Sequence, residues 1–395
     1  MCLQLPCSAA SSAEAACKPI YMYKEVNTSE ALKAILSEKG TIRHVAFQDM
    51  NFKPFADIAA ECWYEDCIFL GGEGVNVLRP RMDSECMVFP SFKDIPYRTF
   101  TGHLYNAATL YEGYVPGCPD SYSESYDSKV YQHYLNAGKM ATGVKETLAR
   151  ILHDRSMNDA MNDFLKGYDE RNVVGIMGGH GLSRTDECFR KVVMTSKTLT
   201  EAGCLMVSGG GPGAMEATHL GAWMAGRDEK DVDKAIEILS VAPSYKDELW
   251  LDTAFKVMKL FPDPEYVSLG VPTWLYGHEP ATPFATHIAK YFDNSTREDN
   301  IITIAKGGII YSPGSAGTMQ EIFQDAVQNH YLSFGYASPM IFLGEDYWKE
   351  EMPVYKLMEH LVDKGKYKNL LLHITDSPEK TIEIISEFRS GEIHT

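Results

Sequence analysis

The chain has 395 residues, 45% of them hydrophobic, which is enough to bury a large core and to form two or three domains or one enlarged domain. Its 54 acidic and 37 basic residues give a formal net charge of −17, which disfavours nucleic acid as a partner because a local basic patch would act against the field of the whole protein. No segment approaches the roughly 20 apolar residues of a membrane helix, so the sequence predicts a soluble, cytoplasmic protein without a membrane partner.

Residues 1–39 are predicted to be a mobile N-terminal tail and lead-in. The start, MCLQLPCSAASSAEAACKPI, lacks the basic region and continuous apolar core of a signal peptide. Acylation of Cys2 is a less favoured alternative.

The nine cysteines show no Cys-x-x-Cys pair and no nearby histidine cluster; they lie at positions 2, 7, 17, 62, 67, 86, 118, 188 and 204. This pattern favours reduced structural thiols and predicts no metal site.

Residues 40–168 are predicted to form an accessory domain with a helical connector. Up to about residue 125, short apolar and aromatic pieces are broken by Gly and Pro, as in TIRHVAFQDMNF, DCIFLGGEGVNVL and ECMVFPSF. Such pieces indicate short strands and ordered loops. Residues 127–168 contain no strong helix breaker and are predicted to be helical.

Residues 169–395 alternate between predicted strands and helices, which indicates an α/β domain with a parallel sheet. The predicted strands are NVVGIM (172–177), CLMVS (204–208), EYVSLGV (265–271), GGIIYS (307–312), PMIFLG (339–344) and NLLLHIT (369–375). The predicted helices cover 187–203, the part of 209–226 after its glycines, 227–239, 316–332, 346–365 and 377–388. Gly203 is expected to end the first of these, and Ser377 with Pro378 to begin the last.

Three of the predicted strands end in glycine-rich turns. These are MGGHG (177–181), SGGGPGAME (208–216) and SPGSAGTMQE (312–321). Because the carboxyl ends of parallel strands share one edge of an open sheet, the three turns are expected to converge on a ligand in the crevice there. A sharp strand-to-helix turn needs glycine for steric reasons alone, which is the competing explanation for any single turn.

The chemistry of these turns favours an anion. Glycine lets successive N–H groups face a phosphate, and the helix that follows adds the N–H groups and partial positive charge of its first turn. The Thr318 hydroxyl would supply one more donor. The candidate phosphate- or ribose-binding residues are Gly209, Gly210, Gly211, Gly213, Met215, Glu216, Gly314, Ser315, Ala316, Gly317 and Thr318, with possible first-turn contacts from Gly178, Gly179 and His180.

Two common nucleotide sites do not fit these turns. No Lys-Ser/Thr pair follows the glycines, so the turns do not form a Walker loop for a triphosphate and Mg²⁺. GGGPGAME follows the second strand of this domain and lacks a clear ribose-binding acid after the next, which disfavours a dinucleotide site. A smaller ligand is expected, and no cofactor is predicted.

The third turn carries a family resemblance. SPGSAGTMQE resembles the PGGxGTxxE signature of the Lonely Guy family, phosphoribohydrolases once misnamed lysine decarboxylases. SGGGPGAMEATHLGA and GGHGLSRTDE are similar to loops of its larger bacterial members, the pyrimidine/purine nucleotide 5′-monophosphate nucleosidases. EPATPFATHIAKYFDNSTRED resembles the segment that carries an arginine in those enzymes. The resemblance covers roughly residues 172–345.

The resemblance implies a modified Rossmann fold with helices on both faces of the sheet. It also implies hydrolysis of the N-glycosidic bond of a nucleoside 5′-monophosphate, which yields a free base and ribose 5-phosphate, and assembly as a dimer or larger homo-oligomer. The family's catalytic glutamate matches Glu321 and its arginine matches Arg297. Chemically, a carboxylate stabilises the oxocarbenium-like centre and polarises the attacking water. The arginine would orient the phosphate or assist the leaving base.

The chain departs from the family pattern at two places. Ser315 replaces the second glycine of the signature, and the pair Gly307 and Gly308 lengthens the run before the strand by one residue. Either change would shift the phosphate loop, or the serine would donate a hydrogen bond. A non-catalytic nucleotide-binding or sensing module is therefore the alternative function.

Several candidate residues could instead have a purely structural role or none. Glu321 would otherwise be a solvent-facing helix residue, and Arg297 would form an exposed ion pair with Glu298 or Asp299. Glu216 would contact ribose or lie on the surface, and His180 would contact phosphate or base or have no role. Trp274 and Tyr276 would stack on a base or pack in the core.

Overall fold

The computed structural model describes residues 22–391, which form two compact units that divide between Ser91 and Phe92. The strands of the first unit are β1 (Lys24–Val26), β2 (Thr41–Arg43), β3 (Val45–Gln48), β4 (Trp63–Glu65), β5 (Ile68–Leu70) and β6 (Met87–Phe89); its helices are α1 (Ser29–Ser37) and α2 (Ala56–Glu61). The strands form a parallel sheet in the order β1-β3-β5-β6 and a second pair, β2-β4.

The first unit has its own core. Phe47, Phe52, Tyr64 and Phe69 are buried there in mutual ring contact. The short strands agree with the texture predicted from residue 40 onward. Part of the predicted tail is ordered, since β1 pairs with β3 and α1 buries three aliphatic side chains. Residues 1–21 of that tail lie outside the described residues.

The second unit is built on one parallel sheet. Its strands are β7 (Val173–Met177), β8 (Leu205–Ser208), β9 (Ser268–Gly270), β10 (His287–Ile288), β11 (Ile309–Tyr311), β12 (Pro339–Leu343) and β13 (Leu371–Thr375). Its helices are α3 (Ala107–Leu110), α4 (Tyr126–Asn136), α5 (Val144–Leu165), α6 (Glu187–Glu201), α7 (Ala214–Trp223), α8 (Glu229–Leu239), α9 (Trp250–Leu260), α10 (Asn294–Ile304), α11 (Ala316–Tyr331), α12 (Val354–Asp363) and α13 (Pro378–Ser390).

Both faces of this sheet are covered. Val173 and Met177 of β7 belong to one core, shared with α10 and α11, whereas Val174 and Ile176 belong to a second core, shared with α6, α7 and α13. Successive side chains of a strand point to opposite faces, so a strand that is apolar throughout requires helices on both sides. The predicted Rossmann-like α/β fold with a parallel sheet is confirmed.

The strand order locates the crevice. The sheet runs β10-β9-β8-β7-β11-β12-β13, so the chain proceeds outward from β7 through β8 to β10 and then returns to β11 on the other side of β7. Such a reversal separates the connections after β7 and β11, and ligands of open α/β sheets bind at that point. Two of the three glycine turns follow these two strands.

The predicted boundary at residue 168 differs from the division in the structure. Residues 92–168 belong to the second unit, because their side chains pair with that unit's own segments. Asp127 of α4 accepts hydrogen bonds from the Trp274 indole at 2.9 Å and from Lys290 at 2.6 Å. The Tyr111 hydroxyl donates to the Ala281 carbonyl. A helical pattern alone does not show which core a helix joins.

Two predicted helix caps are present in the structure, whereas one predicted helix is interrupted. Gly203 has a φ of +88° just beyond α6, and the Ser377 hydroxyl accepts the Lys380 N–H at 3.1 Å at the start of α13. The helix predicted over 346–365 is interrupted, since a π-turn at Tyr347–Glu351 precedes α12 and Pro353 lacks an N–H for a continuous ladder. Helices α9 and α10 and the short strand β10 were not predicted.

Within residues 22–391, none of the helices combines the length and apolar character needed to cross a bilayer.

Candidate functional site

The three glycine turns meet at the carboxyl edge of the sheet, as predicted. The Gly179 N–H donates to the Pro313 carbonyl at 3.0 Å, which joins the turn after β7 to the turn after β11. The Ala214 N–H donates to the Gly179 carbonyl at 3.1 Å, which joins the turn after β8 to the same centre. The main chain itself therefore builds one crevice from three loops.

Several glycines are required by this loop packing. A Cβ at Gly178 would lie 1.9 Å from the Ser312 hydroxyl, and one at Gly213 would lie 2.3 Å from the Gly179 carbonyl. A Cβ at Gly314 would lie 2.2 Å from Thr318 Oγ1. Steric need explains these positions without a ligand. Gly317 differs, because no atom lies within 4 Å of the place where its Cβ would stand.

The first turn of α11 is open to a ligand. The helix begins at Ala316, and the preceding Ser315 makes no side-chain cap, so the first N–H groups carry no capping side chain. Ser315, Ala316 and Gly317 are exposed, whereas Thr318 is buried beside Gly314. Uncapped N–H groups and the helix dipole make this end of α11 suited to an anion.

The two departures from the family signature lie at different edges of the sheet. Ser315 has a φ of −116°, which is outside the left-handed region that favours glycine. Gly307 and Gly308 precede β11, at the amino end of the strand, where a Cβ would meet the Arg171 and Pro339 carbonyls. The lengthened run is therefore on the edge of the sheet opposite the crevice.

The remaining residues of the second turn are packed rather than open. Gly209, Gly210 and Gly211 are buried, and Gly210 has a φ of +69°. The partly buried Met215 places its sulfur against both Gly209 and Gly211.

Arg297 is buried and holds the second turn in place. Its Nε donates to the Val271 carbonyl at 2.6 Å, its Nη2 to the Gly209 carbonyl at 3.4 Å, and its Nη1 to Glu298 Oε1 at 2.9 Å. The expected ion pair with Glu298 is present, but it is buried instead of exposed, with both side chains 9% exposed. Within residues 22–391, Glu298 Oε2 is buried without a hydrogen-bond partner.

Helix α5 positions the start of the helix that carries Arg297. Both carboxylate oxygens of Asp154 accept N–H groups of Phe292 and Asp293 at 2.8–3.1 Å. Asp293 in turn accepts the Ser295 and Thr296 N–H groups as the cap of α10. The predicted connector is therefore part of the scaffold of the site.

Glu321 lies on α11, four residues beyond Gly317. It is 8% exposed, on the first full turn of α11 beyond the glycine-threonine segment. Burial raises its pKa from 4.5 to about 8; Arg297 opposes that shift and Glu298 adds to it. The solvent-facing alternative is wrong. At neutral pH the free protein holds Glu321 mostly protonated.

This raised pKa leads to a stability prediction. Between pH 4.5 and about 8 the folded protein retains a proton on Glu321 that the unfolded chain releases, so this group's contribution to stability is lost as pH rises. A glutamine side chain mimics the protonated form at every pH. We therefore expect Glu321→Gln to gain a few kcal/mol of unfolding free energy relative to wild type between pH 5 and 9, because one pKa unit is worth about 1.4 kcal/mol. Urea unfolding of both proteins at pH 5 and at pH 9 measures this gain. An equal difference in unfolding free energy between the two proteins at both pH values would contradict the prediction.

A second buried carboxylate lies one turn further along α11. Asp325 accepts the Tyr311 hydroxyl at 2.7 Å, and burial raises its pKa to about 7. The spacing of four residues between Glu321 and Asp325 places them on one helix face. That spacing is the signal by which the sequence would have revealed Asp325.

Glu216 does not lie on the surface. It is fully buried, and both of its oxygens accept hydrogen bonds from Arg184, at 2.9 Å through Nε and more closely through Nη2. Arg184 also donates to Thr253 and to the Trp250 carbonyl. Glu216 belongs to α7 itself, and Arg184 engages both of its carboxylate oxygens inside the protein. Its contact with ribose stays a prediction. Arg184, in GGHGLSRTDE, was not recognised because its carboxylate partner is 32 residues away.

The remaining candidates, Trp274, Tyr276 and His180, differ in the solvent exposure of their side chains. Trp274 is fully buried, donates to Asp127 and stacks on Phe292 at 4.5 Å between ring centroids, so it packs in the core. Tyr276 is 45% exposed. His180 is exposed, with Nδ1 3.7 Å from Glu279 Oε1.

Metal ligands do not cluster in the part of the chain that the structure describes. No group of three or more His, Cys, Asp or Glu residues there is placed to hold an ion.

Comparison of the sequence with models of protein families and with curated proteins finds no match. Similar solved structures include the molybdenum cofactor binding protein of Rippkaea orientalis, with 16% identity over 55% of this chain and 96% of that chain, at a TM-score of 0.35. The protein TM1055 has 18% identity over 54% and 98%, at a TM-score of 0.36. The Moco carrier protein of Chlamydomonas reinhardtii has 17% identity over 55% and 98%, at a TM-score of 0.35. Likeness at this level identifies neither ligand nor activity.

Proposed function

We propose that the protein is a nucleoside 5′-monophosphate nucleosidase, with the chemistry of the Lonely Guy family that its third turn resembles. One observation carries the proposal: Glu321 lies buried, within the electrostatic reach of Arg297, one helical turn beyond an uncapped helix N-terminus. A site for phosphate and a carboxyl group for sugar chemistry are thus adjacent on one helix.

The phosphate would bind at the first turn of α11. Its oxygens would accept N–H groups near Gly317 and the Thr318 hydroxyl, in a position that no side chain fills. The ribose would then extend along α11 toward Glu321. Recognition of the phosphate would supply the orientation that the sugar chemistry needs.

Bond cleavage would use Glu321 in its ionised form. The C1′–N bond breaks with its electron pair moving to the base, and the carboxylate stabilises the cationic sugar. Water adds to C1′ and gives a proton to Glu321, the departing base takes up a proton from solvent, and Glu321 then releases its proton to solvent, which regenerates the carboxylate. Burial disfavours the ionised carboxylate most, Arg297 favours it and Glu298 opposes it, so these three influences on the pKa of Glu321 would set the fraction of active protein.

Incubation with AMP, GMP, CMP and UMP followed by chromatography tests the reaction. We expect release of free base and ribose 5-phosphate from at least one of them, with EDTA present, and far slower reaction of the corresponding nucleoside. The phosphate contacts provide the orientation that a nucleoside lacks. Loss of turnover in EDTA, or equal rates for adenosine and AMP, would show that the phosphate site is wrongly assigned.

The alternative of a non-catalytic nucleotide-binding module is favoured by one observation. Arg297 already donates to two main-chain carbonyls and to Glu298. These contacts suit a residue that holds loops together. Binding of a nucleoside monophosphate without base release at any pH from 6 to 9 would favour this alternative.

We also propose that the protein is a homo-oligomer. Val144, Leu148 and Ile151 of α5 are 88%, 45% and 60% exposed, and their spacing forms an apolar stripe on one helix face. A second copy of the chain would cover such a stripe. Light scattering of the wild type is expected to give at least twice the chain mass of 44.2 kDa. The Ile151→Asp variant, which places a charge in the apolar stripe, is expected to dissociate. A wild-type mass of one chain at micromolar concentration would refute the proposal.

A further inference from the structure

The loop after β12 reaches the edge of the sheet where the glycine turns meet. It begins at Gly344 and runs into the π-turn at Tyr347–Glu351. Because β11 lies between β7 and β12 in the sheet, the turn after β11 has the turn after β7 on one side and this loop on the other. π-turns are rare and are often found at functional sites. The contacts of this π-turn with the proposed phosphate turn therefore require an explanation.

Two neighbouring side chains of the π-turn hold the end of β11 and the turn that follows it. The Trp348 indole donates to the carbonyl of Tyr311, the last residue of the strand, at 3.1 Å. The Tyr347 hydroxyl donates to the Gly314 carbonyl, within the turn itself, at 2.5 Å. Trp348 is fully buried, and its ring meets that of Tyr347 edge-to-face at 4.9 Å between centroids. The buried indole thus fixes the direction from which Tyr347 reaches the turn.

The carbonyls of two successive residues in this turn accept hydrogen bonds from opposite neighbours. Pro313 accepts the Gly179 N–H at 3.0 Å from the turn after β7. Gly314 accepts the Tyr347 hydroxyl from the loop after β12. In a planar trans peptide unit, the C=O of one residue and the N–H of the next point in opposite directions. The Ser315 N–H therefore points away from Tyr347, toward the side on which the turn after β7 lies.

The Ser315 N–H is available to a ligand. Ser315 is exposed, and within residues 22–391 no hydrogen bond uses its N–H. Phosphate oxygens accept such main-chain N–H groups at the start of a helix. The hydroxyl that orients this peptide unit remains a donor near neutral pH, because burial raises the pKa of Tyr347 above its ordinary value of 10.0.

We propose that Tyr347 is a positioning residue of the phosphate site, which holds the peptide unit between Gly314 and Ser315 so that the Ser315 N–H donates to the phosphate. The inference rests on the function proposed above, which places the phosphate at the first turn of α11. Tyr347 acts through the main chain and not through its own contact with the phosphate. Without its hydroxyl the Gly314 carbonyl loses this hydrogen bond, and the peptide unit is less firmly held in the orientation that the phosphate requires.

Calorimetric titration of the full-length protein with AMP, ribose 5-phosphate and adenosine tests this role. Tyr347→Phe keeps the ring and removes one oxygen, so we expect the variant to fold and to bind AMP and ribose 5-phosphate about five- to tenfold more weakly than wild type. Its affinity for adenosine, which lacks the phosphate, should be unchanged. In the hydrolysis of AMP, KM should rise by the same factor with kcat unchanged, as when a contact made equally in the ground and transition states is lost.

Tyr355→Phe is the matched control for this substitution. Tyr355 lies on α12 and packs its ring against Phe342, and within residues 22–391 its hydroxyl makes no hydrogen bond. The same oxygen is removed from a tyrosine of the same region, without a bond to the turn. AMP and ribose 5-phosphate should therefore bind to this variant as they do to wild type.

Unchanged affinity for ribose 5-phosphate in Tyr347→Phe would overturn the inference. An equal loss of affinity for adenosine would also overturn it, because that result would show a general loosening of the site. If Tyr347→Phe fails to fold, the Ser315 amide signal in the nuclear magnetic resonance spectrum of isotope-labelled wild type decides. We expect that signal to shift on saturation with ribose 5-phosphate, and an unshifted signal would contradict the proposal.

The same measurements separate this role from the proposed function. Base release from AMP, with phosphate binding that is insensitive to Tyr347→Phe, would leave the nucleosidase standing and remove the role of Tyr347. Phosphate binding that is sensitive to Tyr347→Phe, in a protein that releases no base, would leave the role of Tyr347 standing without the nucleosidase.

Discussion

Replacing Glu321 by Gln is expected to reduce base release from a nucleoside monophosphate by about two orders of magnitude or more, while nucleotide binding persists. Glutamine keeps the size and hydrogen-bonding capacity of the side chain but cannot carry the charge that stabilises the cationic sugar. The phosphate contacts on the first turn of α11 are unchanged by this substitution. Titration calorimetry measures the affinity, and single-turnover rates measure the chemistry.

The pH dependence sharpens this test. Because burial raises the pKa of Glu321 to about 8, the single-turnover rate of the wild type should rise between pH 6 and 9 as the carboxylate ionises. The residual rate of Glu321→Gln should lack this rise. Glu383→Gln, an exposed substitution on α13, serves as the control and should follow the wild type. Wild-type rates in Glu321→Gln would remove the glutamate from the mechanism.

Placing Val at Gly317 is expected to weaken nucleotide binding by at least about tenfold and to leave the fold intact. The position has open space for a side chain and no left-handed backbone, so neither strain nor a clash opposes the substitution. The new side chain would stand where the phosphate approaches the helix N-terminus. Titration calorimetry gives the affinity, and thermal unfolding shows whether the fold is retained.

Gly143→Val is the matched control for this prediction. Gly143 precedes α5 with a φ of −110° and also has no atom within 4 Å of its would-be Cβ, yet it is far along the chain from the glycine turns. It should bind nucleotide as the wild type does. Gly314 is unsuitable for this purpose, since its would-be Cβ meets Thr318 at 2.2 Å and the loop itself would change. Full affinity in Gly317→Val would move the phosphate away from α11.

The sequence alone determined the structural features that depend on residues close together in the chain. The alternation of apolar runs with amphipathic helices predicted the parallel sheet, because a strand buried on both faces is apolar throughout. Gly203 and Ser377 marked helix ends through local φ values and hydroxyl caps. The three glycine turns were expected to converge because parallel strands place their carboxyl ends on one edge, and the Gly179 contacts to Pro313 and Ala214 confirm it.

The tertiary structure decided which polar groups are buried and what they pair with. Glu216 and Trp274 lie in sequence beside plausible ligand contacts, but Arg184 and Asp127 engage them inside the protein. The pKa of Glu321 is likewise raised by burial in the folded protein, while Arg297 lowers it and Glu298 raises it from α10. Burial and pairing are set by residues tens to more than a hundred positions away, as with Asp127 and Trp274, which are 147 positions apart, so no local pattern of the chain encodes them. For the same reason, the division at Ser91 became visible only when the helices of residues 92–168 were seen to pack in the core of the second unit.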